Sequence, residues 1–241
     1  MLKFVKFLLI SLFCIITSGC ATLNSALTPA YKKSINKIAV VSVMGDKFKG
    51  TKIGTTVFNN ENCEDDFSAF SIDNKIEDKI ISYLTESSGF TATKKPEIAS
   101  ILSKTFKQKD MPASPTKALK TFRNILPSLK AEGIDALLIV SPYETQFEDT
   151  GVWVSGYGLV VRTFLMMWYA KAEFISYISL IDTTNEKIVM SRFFWRSGDI
   201  KFSKWQTKFS NLTSEEQNGI ENFFALKVID EIPRFLKKAN F

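Results

Sequence analysis

The sequence contains no histidine. That absence excludes Ser-His-Asp and Cys-His nucleophile systems, whose general base is an imidazole. It also removes the commonest protein ligand of zinc and non-haem iron. Phosphate-cradling loops are missing too. Gly45, Gly50 and Gly54 fall close together, but they form neither GxxxxGK[ST] nor GxGxxG, and Gly50-Thr51-Lys52-Ile53-Gly54 reads as a turn. No acidic spacing matches an EF-hand calcium loop. No internal repeat or low-complexity tract stands out. These absences lead to an expectation of no catalytic residues, no metal site and no cofactor.

Cysteine is scarce, at three residues, and the first two lie in an unusual N-terminus. Met1-Leu2-Lys3-Phe4-Val5-Lys6 is short and basic, and Phe7 to Ile16 is nearly all apolar. That run is too short for a permanent bilayer span, which needs about 20 residues. A basic start, an apolar middle and the small residues Thr17-Ser18-Gly19 make a secretory signal. The next residue is Cys20. The stretch resembles the lipobox of bacterial lipoproteins, although that family prefers Leu at the position of Thr17. The resemblance implies cleavage after residue 19 and lipidation of Cys20. The alternative is a plain secretory signal with an incidental cysteine. Two or three acyl chains, at about 0.8 kcal/mol per buried methylene, anchor a protein without a transmembrane helix. In enteric-type sorting an Asp after the cysteine retains the protein on the inner membrane, so by resemblance Ala21 favours the outer membrane.

Removing residues 1–19 takes away Lys3 and Lys6 and leaves 29 basic against 25 acidic residues, a net charge of +4. That balance is mild and dispersed, and nucleic-acid binding needs a concentrated basic face. Cys14 leaves with the signal and Cys20 is the lipidation site, so Cys63 has no partner in its own chain. It sits in the acidic run Asn60 to Asp66, where neighbouring carboxylates disfavour the thiolate. It reads as an unreactive thiol.

The mature chain divides into a tether, 20–36, and one α/β domain, 37–241. Hydrophobic residues at 45% supply a core. Lys37 to Met44 is a continuous apolar run and reads as a buried strand. Lys47 to Asp66 is polar and reads as a long loop with a hairpin. Ser71 caps a helix whose face carries Ile72, Ile76, Ile80, Tyr83 and Leu84, and Gly89 ends it. A second helix spans 96–107, with Ile98, Ile101, Leu102 and Phe106 inward. A third starts at Ser114-Pro115 and is interrupted by Pro127. Ile134 to Ser141 is another buried strand. From Ala170 to Leu180 apolar residues alternate, Asp182 to Lys187 turns the chain, and residues 188–195 return as a β-hairpin. Ser214-Glu215-Glu216-Gln217 reads as a capping box before a closing helix lined by Phe224, Val228 and Ile232 and limited by Pro233. The expected architecture is a mixed sheet of about five strands with flanking helices, ending in the hairpin and a C-terminal helix.

The segment Val152 to Tyr169 holds a single charge, Arg162. A transmembrane helix is disfavoured by that central Arg, by Gly156 and Gly158, and by its borderline length. Two readings remain: core strands, or an interaction surface built on Trp153, Tyr157, Trp168 and Tyr169. The run Arg192-Phe193-Phe194-Trp195-Arg196 has the same ambiguity, because three consecutive apolar residues cannot share one face of a strand. Carboxylates in loops, among them Glu64, Asp65, Asp66, Glu144, Glu148 and Asp149, are the residual candidates for acid–base chemistry.

Lys37-Ile38-Ala39-Val40-Val41, the helix from Ile72, Gly133 to Ile139 and the hairpin from Ile175 through Asp182 to Val189 together resemble a group of envelope lipoproteins. That group includes the curli-secretion (CsgG-like) lipoproteins and the N-terminal domain of the Tol-system propeller protein. The resemblance covers about half the chain. It implies a non-enzymatic role, either as an accessory factor or as a subunit of an oligomeric secretion pore. The residues from Val152 show no clear pair of amphipathic membrane strands. The expectation is an outer-membrane lipoprotein, facing the periplasm or the surface. It is held to the membrane by its lipid and contacts an envelope protein or a second copy of itself. A carboxylate-dependent glycan-acting enzyme is the remaining alternative.

Overall fold

The computed structural model describes residues 26–106, 119, 120, 122–148, 150–164 and 167–241. The signal segment, Cys20, the first part of the tether, the helix start at Ser114-Pro115 and Asp149 lie outside the described residues.

The α/β class holds, but among the described residues the sheet has nine strands where about five are expected. They are β1 (Lys37–Ser42), β2 (Lys47–Ile53), β3 (Glu61–Asp66), β4 (Thr91–Lys94), β5 (Ala136–Pro142), β6 (Glu144–Gln146), β7 (Trp153–Phe164), β8 (Met167–Asp182) and β9 (Lys187–Ile200). The helices are α1 (Pro29–Ser34), α2 (Ile72–Ser88), α3 (Pro96–Phe106), α4 (Leu126–Ala131), α5 (Ser214–Phe223) and α6 (Ile232–Lys238). The expected hairpin within 47–66 is present as the antiparallel pair β2–β3, and the strands that the sequence reading does not delimit are short or polar. β4 is Thr-Ala-Thr-Lys, and β3 is Glu-Asn-Cys-Glu-Asp-Asp with most of its residues in solvent. Neither carries the apolar periodicity by which a strand is recognised.

The long strand β8 organises the sheet. β9 follows one of its edges antiparallel from Ala170↔Ile200 to Asp182↔Lys187. The turn between them is fixed by Asp182, whose carboxylate accepts from the backbone N–H groups of Thr184 and Asn185, each at 2.8 Å. The other edge of β8 is shared end to end. β7 pairs with residues 167–175 and β5 with residues 176–182. The handover runs through Tyr143, whose N–H donates to Ile175 O (3.1 Å) while its carbonyl accepts from Gly156 N (3.0 Å). Beyond β5 lie β1 and β4, all three parallel. Beyond β7 lie β2, parallel to it, and then β3, antiparallel to β2.

One face of the sheet is covered throughout. Ile38, Val40, Leu138, Leu159, Phe174 and Ile178 are buried beneath α2 and the C-terminal helices. On α2 the residues Ile72, Ile76, Ile80 and Leu84 fall four apart and are fully buried, as helical spacing requires. Among the described residues, helices cover the second face over β1 and β5 only. There α3 and α4 place Ile98, Leu102, Leu126 and Leu129 on Ala39, Val41, Leu137 and Ile139.

Several local expectations are corrected. Ser71 precedes α2 in a left-handed conformation, φ 51°, and makes no side-chain cap. The carboxylate of Asp73 turns instead to the β1–β2 connection and accepts from Ser42 Oγ (2.5 Å), Met44 N (2.8 Å) and Gly45 N (2.9 Å). The capping box is real but starts one residue earlier, with Thr213 as the cap and Glu216 as its partner. Helical residues 119, 120 and 122 give way to a turn at 123–125, so the helix is interrupted just ahead of Pro127, which lies in the first turn of α4. Pro233 begins α6 rather than ends a helix, since the first turn leaves its missing N–H without consequence. Ile101 is exposed, at 52%, where an inward position is expected.

Candidate functional site

Among the described residues no helix lies on the second face over β2, β7, β8 and β9. Paired residues on neighbouring strands share a face, so the register assigns this surface. Lys49 and Thr51 on β2 pair with Gly158 and Val160 on β7. Gly156 and Gly158 pair with Ile175 and Glu173 on β8. Glu173, Ile175 and Tyr177 pair with Ser197, Trp195 and Phe193 on β9. The β6–β7 turn, closed by Phe147 N donating to Val152 O (2.8 Å), folds back over part of this surface. It builds a small apolar cluster of Ile53, Phe147, Val154, Val160 and Ile175.

Two features occupy the remainder. The first is a cleft of about 400 Å³. Lys49, Asn62 and Glu64 stand on its β2–β3 side and Trp153 and Ser155 on its β7 side. The second is a chain of aromatic rings. Tyr143 meets Tyr177 at 4.7 Å between centroids, Tyr177 meets Phe193 at 5.6 Å, and Phe193 meets Trp195 at 6.4 Å. Phe193 is 37% and Trp195 43% exposed. The middle residue of the triplet, Phe194, is buried on the opposite face against Phe174 and Phe235, so alternation resolves the ambiguity of the run.

Glu173 joins the two features. Its side chain is buried, and its carboxylate accepts from Trp195 Nε1 (2.6 Å) and Ser197 Oγ (2.5 Å). Burial pushes this carboxyl above its ordinary range, and the two hydrogen bonds only partly oppose that shift. The bond fixes the Trp195 indole beside the cleft. Across the cleft, Lys49 Nζ donates to Ser155 Oγ (2.7 Å). Ser155 reaches this face because Gly156, with φ 71°, breaks the strand's alternation.

That break also corrects the expectation for Tyr157. Its ring is buried in the main core at 2% exposure, and its hydroxyl donates to Gly45 O (2.7 Å). Burial and the nearby carboxylate of Asp73 raise its pKa far above the phenol range. Tyr157 therefore offers nothing to a partner. Trp153 is exposed at 61% and belongs to the cleft. Trp168 and Tyr169 are exposed to 36% and 43% but stand at the other end of the β7–β8 hairpin, and Trp168 contacts Phe202 edge-on. The four candidates thus form no single patch.

The carboxylate candidates do not converge either. Asp65 accepts from Phe209 N (2.7 Å), and Asp66 accepts from Ser68 Oγ (2.8 Å). Glu144 is exposed on β6. Glu148 is bound by Lys171 Nζ at 2.8 Å and approached by Arg162 at 3.9 Å, which lifts the Lys171 ammonium above its usual range. Among the described residues no group of three or more His, Cys, Asp or Glu could hold a metal ion. Cys63 is a free, half-buried thiol that burial shifts upward, as expected of an unreactive cysteine. Among the described residues no helix is long and apolar enough to cross a membrane, which says nothing about strands.

Lys49, Tyr143, Glu173 and Tyr177 were not singled out by the sequence. Glu173 does carry a signal, since it is an acidic residue between the apolar Ala172 and Phe174. Its pairing with Trp195 becomes visible only once the hairpin register is known.

No family model and no curated protein matches the chain. Among solved structures it is similar to lipoprotein GNA1162 from Neisseria meningitidis, with 15% identity over 83% of this chain and 99% of that one, and a TM-score of 0.33. It is similar to a DUF330 protein from Xanthomonas campestris, with 8% identity over 91% and 94% and a TM-score of 0.40. PelC from Paraburkholderia phytofirmans, solved as a dodecamer, gives 11% identity over 85% and 93% and a TM-score of 0.31. Likeness at this level assigns no role to any residue.

Proposed function

We propose that this chain is a lipid-anchored, non-catalytic protein of the bacterial envelope, an accessory or assembly factor that works through protein–protein contacts. The observation that carries the reading is the half-bare second face. Antiparallel strands commonly leave one face to water, and that face is then polar. Here, among the described residues, the open face carries an aromatic row instead, with Phe193 and Trp195 exposed and Tyr143 and Tyr177 half-buried. Tyr, Trp and Phe are the residue types enriched at the buried centres of protein interfaces. The lipobox-like sequence ending at Cys20 supplies the anchor, and Ala21 supports the outer membrane as its address. The missing histidine and the scattered placement of the described carboxylate candidates support a role without catalysis.

The test uses the full chain in its membrane. A photo-crosslinking residue at Phe193 is expected to yield a defined adduct with an envelope protein or a second copy, while the same probe at Leu226, exposed on the helical side, yields none. Mass spectrometry is expected to find a diacylglycerol thioether on Cys20. An unmodified N-terminus overturns the anchor, and a Phe193 probe that gives no adduct above the Leu226 control overturns the interface. Adducts only between copies, with steady conductance in planar bilayers, would replace the accessory role with that of a pore subunit.

A further inference from the structure

The cleft beside the aromatic row has a chemistry of its own. Its volume of about 400 Å³ is that of a small-ligand site. Its walls mix polar and apolar residues: Lys49, Asn62, Glu64 and Ser155 line it together with Val154, Leu159, Val160 and Ile175. An acyl chain would strip water from the polar groups without replacing their hydrogen bonds. A phosphate would meet Glu64, which stands opposite Lys49 in the β2–β3 register. A peptide could not add to the floor as a strand, because β7 is already paired with β2 on one edge and β8 on the other. Neither Gly156 nor Gly158 puts a side chain on that floor.

What remains is a ligand with many hydroxyl or amide groups and at least one weakly apolar, flat side. A pyranose ring fits. Its hydroxyls both donate and accept, matching a wall that offers donors at Lys49 and Asn62 and an acceptor at Glu64. Its C–H face carries slight positive charge and stacks on the negative face of an indole. Trp153, the most exposed tryptophan at 61%, lines this cleft. From this juxtaposition of an exposed indole, a polar wall and a floor opened by two glycines beside Glu173 and Ile175, we infer that the cleft binds a short stretch of glycan chain. The inference deepens the reading of an envelope accessory protein by naming a non-protein ligand for the same face, and it assigns no hydrolysis to the site.

The experiment titrates the full chain in detergent with chitotetraose and, separately, cellotetraose, read by calorimetry. Chitotetraose carries the N-acetyl groups of wall-type glycans, and cellotetraose stands for unsubstituted hexose chains. Saturable binding of at least one is expected, and the stronger of the two identifies the source. Trp153→Ala and Asn62→Ala, both at exposed positions, are each expected to weaken that binding at least tenfold with unchanged melting temperature, and Leu226→Ala is expected to leave it unchanged. No saturable binding of either sugar at millimolar concentration overturns the inference. Equal binding by Trp153→Ala and the parent chain overturns it as well. Either failure leaves the Phe193 crosslinking result standing, so the two readings fail separately.

Discussion

The two halves of one sheet face differ in what they ask of the rest of the chain. Over β1 and β5 the outward residues are Ala39, Val41, Leu137 and Ile139, all buried beneath α3 and α4. Over β7, β8 and β9 the same face carries Gly156, Gly158, Glu173, Tyr177, Phe193 and Trp195, with only the β6–β7 turn folded back upon it. The first half is aliphatic and needs helices to exclude water. The second is built from amphipathic aromatics, polar groups and glycine, which tolerate partial hydration. Because β8 runs through both halves without a break, the difference lies in side chains and not in backbone. The covered half secures the fold, and the open half is free to carry a function.

The comparison breaks most readily by deleting side chains on each half. Leu137→Ala removes a fully buried aliphatic side chain from between β5 and the overlying helices. Its expected cost is about 2–5 kcal/mol in denaturant unfolding. Phe193→Ser, on the same face but half in water, is expected to change stability by no more than about 1 kcal/mol while abolishing the crosslinked adduct at that face. Equal losses of stability at the two positions would show that the open half is structural.

These halves were unequally legible in the sequence. Lys37 to Met44, Ile134 to Ser141 and the α2 stripe announce themselves, because burial on both sides or on one helical face imposes a continuous or periodic apolar pattern. The β8–β9 hairpin reads correctly from its alternation, down to the turn at Asp182. The β2–β3 pair is legible only as a hairpin within 47–66, and β4 is not legible, because short or polar strands carry little apolar pattern and are held by backbone pairing that no side chain records. The four aromatic candidates in 152–169 scatter for a related reason. A positive φ at Gly156 shifts the alternation, sending Tyr157 into the core and leaving Trp153 outside. A glycine in a strand is a visible signal of such a break, but its direction is set by the neighbouring strands.

Gly158 sharpens the comparison on the open side. A Cβ at this position would stand 1.8 Å from the Lys49 carbonyl oxygen, so β2 approaches β7 this closely only because the side chain is absent. Gly158→Ala is expected to push β2 and β3 outward, at a cost of about 1–3 kcal/mol by the usual penalty for overpacking. The cleft wall formed by Lys49 and Asn62 would move with them. Hydrogen exchange is expected to rise in β2 and β3 while β1 and β5 stay protected. Uniform acceleration across the sheet would mean that the two halves unfold as one unit and that the division drawn here has no energetic counterpart.

The smallest effect concerns the carboxylate at the base of the open half. Burial raises the Glu173 carboxyl above its ordinary value, and Asp73 and Glu77 beneath the covered face are raised for the same reason. A raised carboxyl binds its proton more tightly in the folded than in the unfolded chain. Its contribution is therefore fully present below the unfolded value, about 4.3 for Glu, and is lost as pH rises through the folded value. Stability is expected to decline across that window, and Glu173→Gln, which cannot ionise, is expected to flatten the decline by one group's share while Asp73 and Glu77 sustain the rest. Melting temperatures from pH 4 upward check this. Because Trp195 Nε1 donates to Glu173 Oε2, the Trp195 component of the fluorescence, taken as the difference from Trp195→Phe, should titrate in the same window. An unchanged slope in Glu173→Gln, or a Trp195 signal flat through the window, would place the ionisation elsewhere and leave the open half without a titrating group at its base.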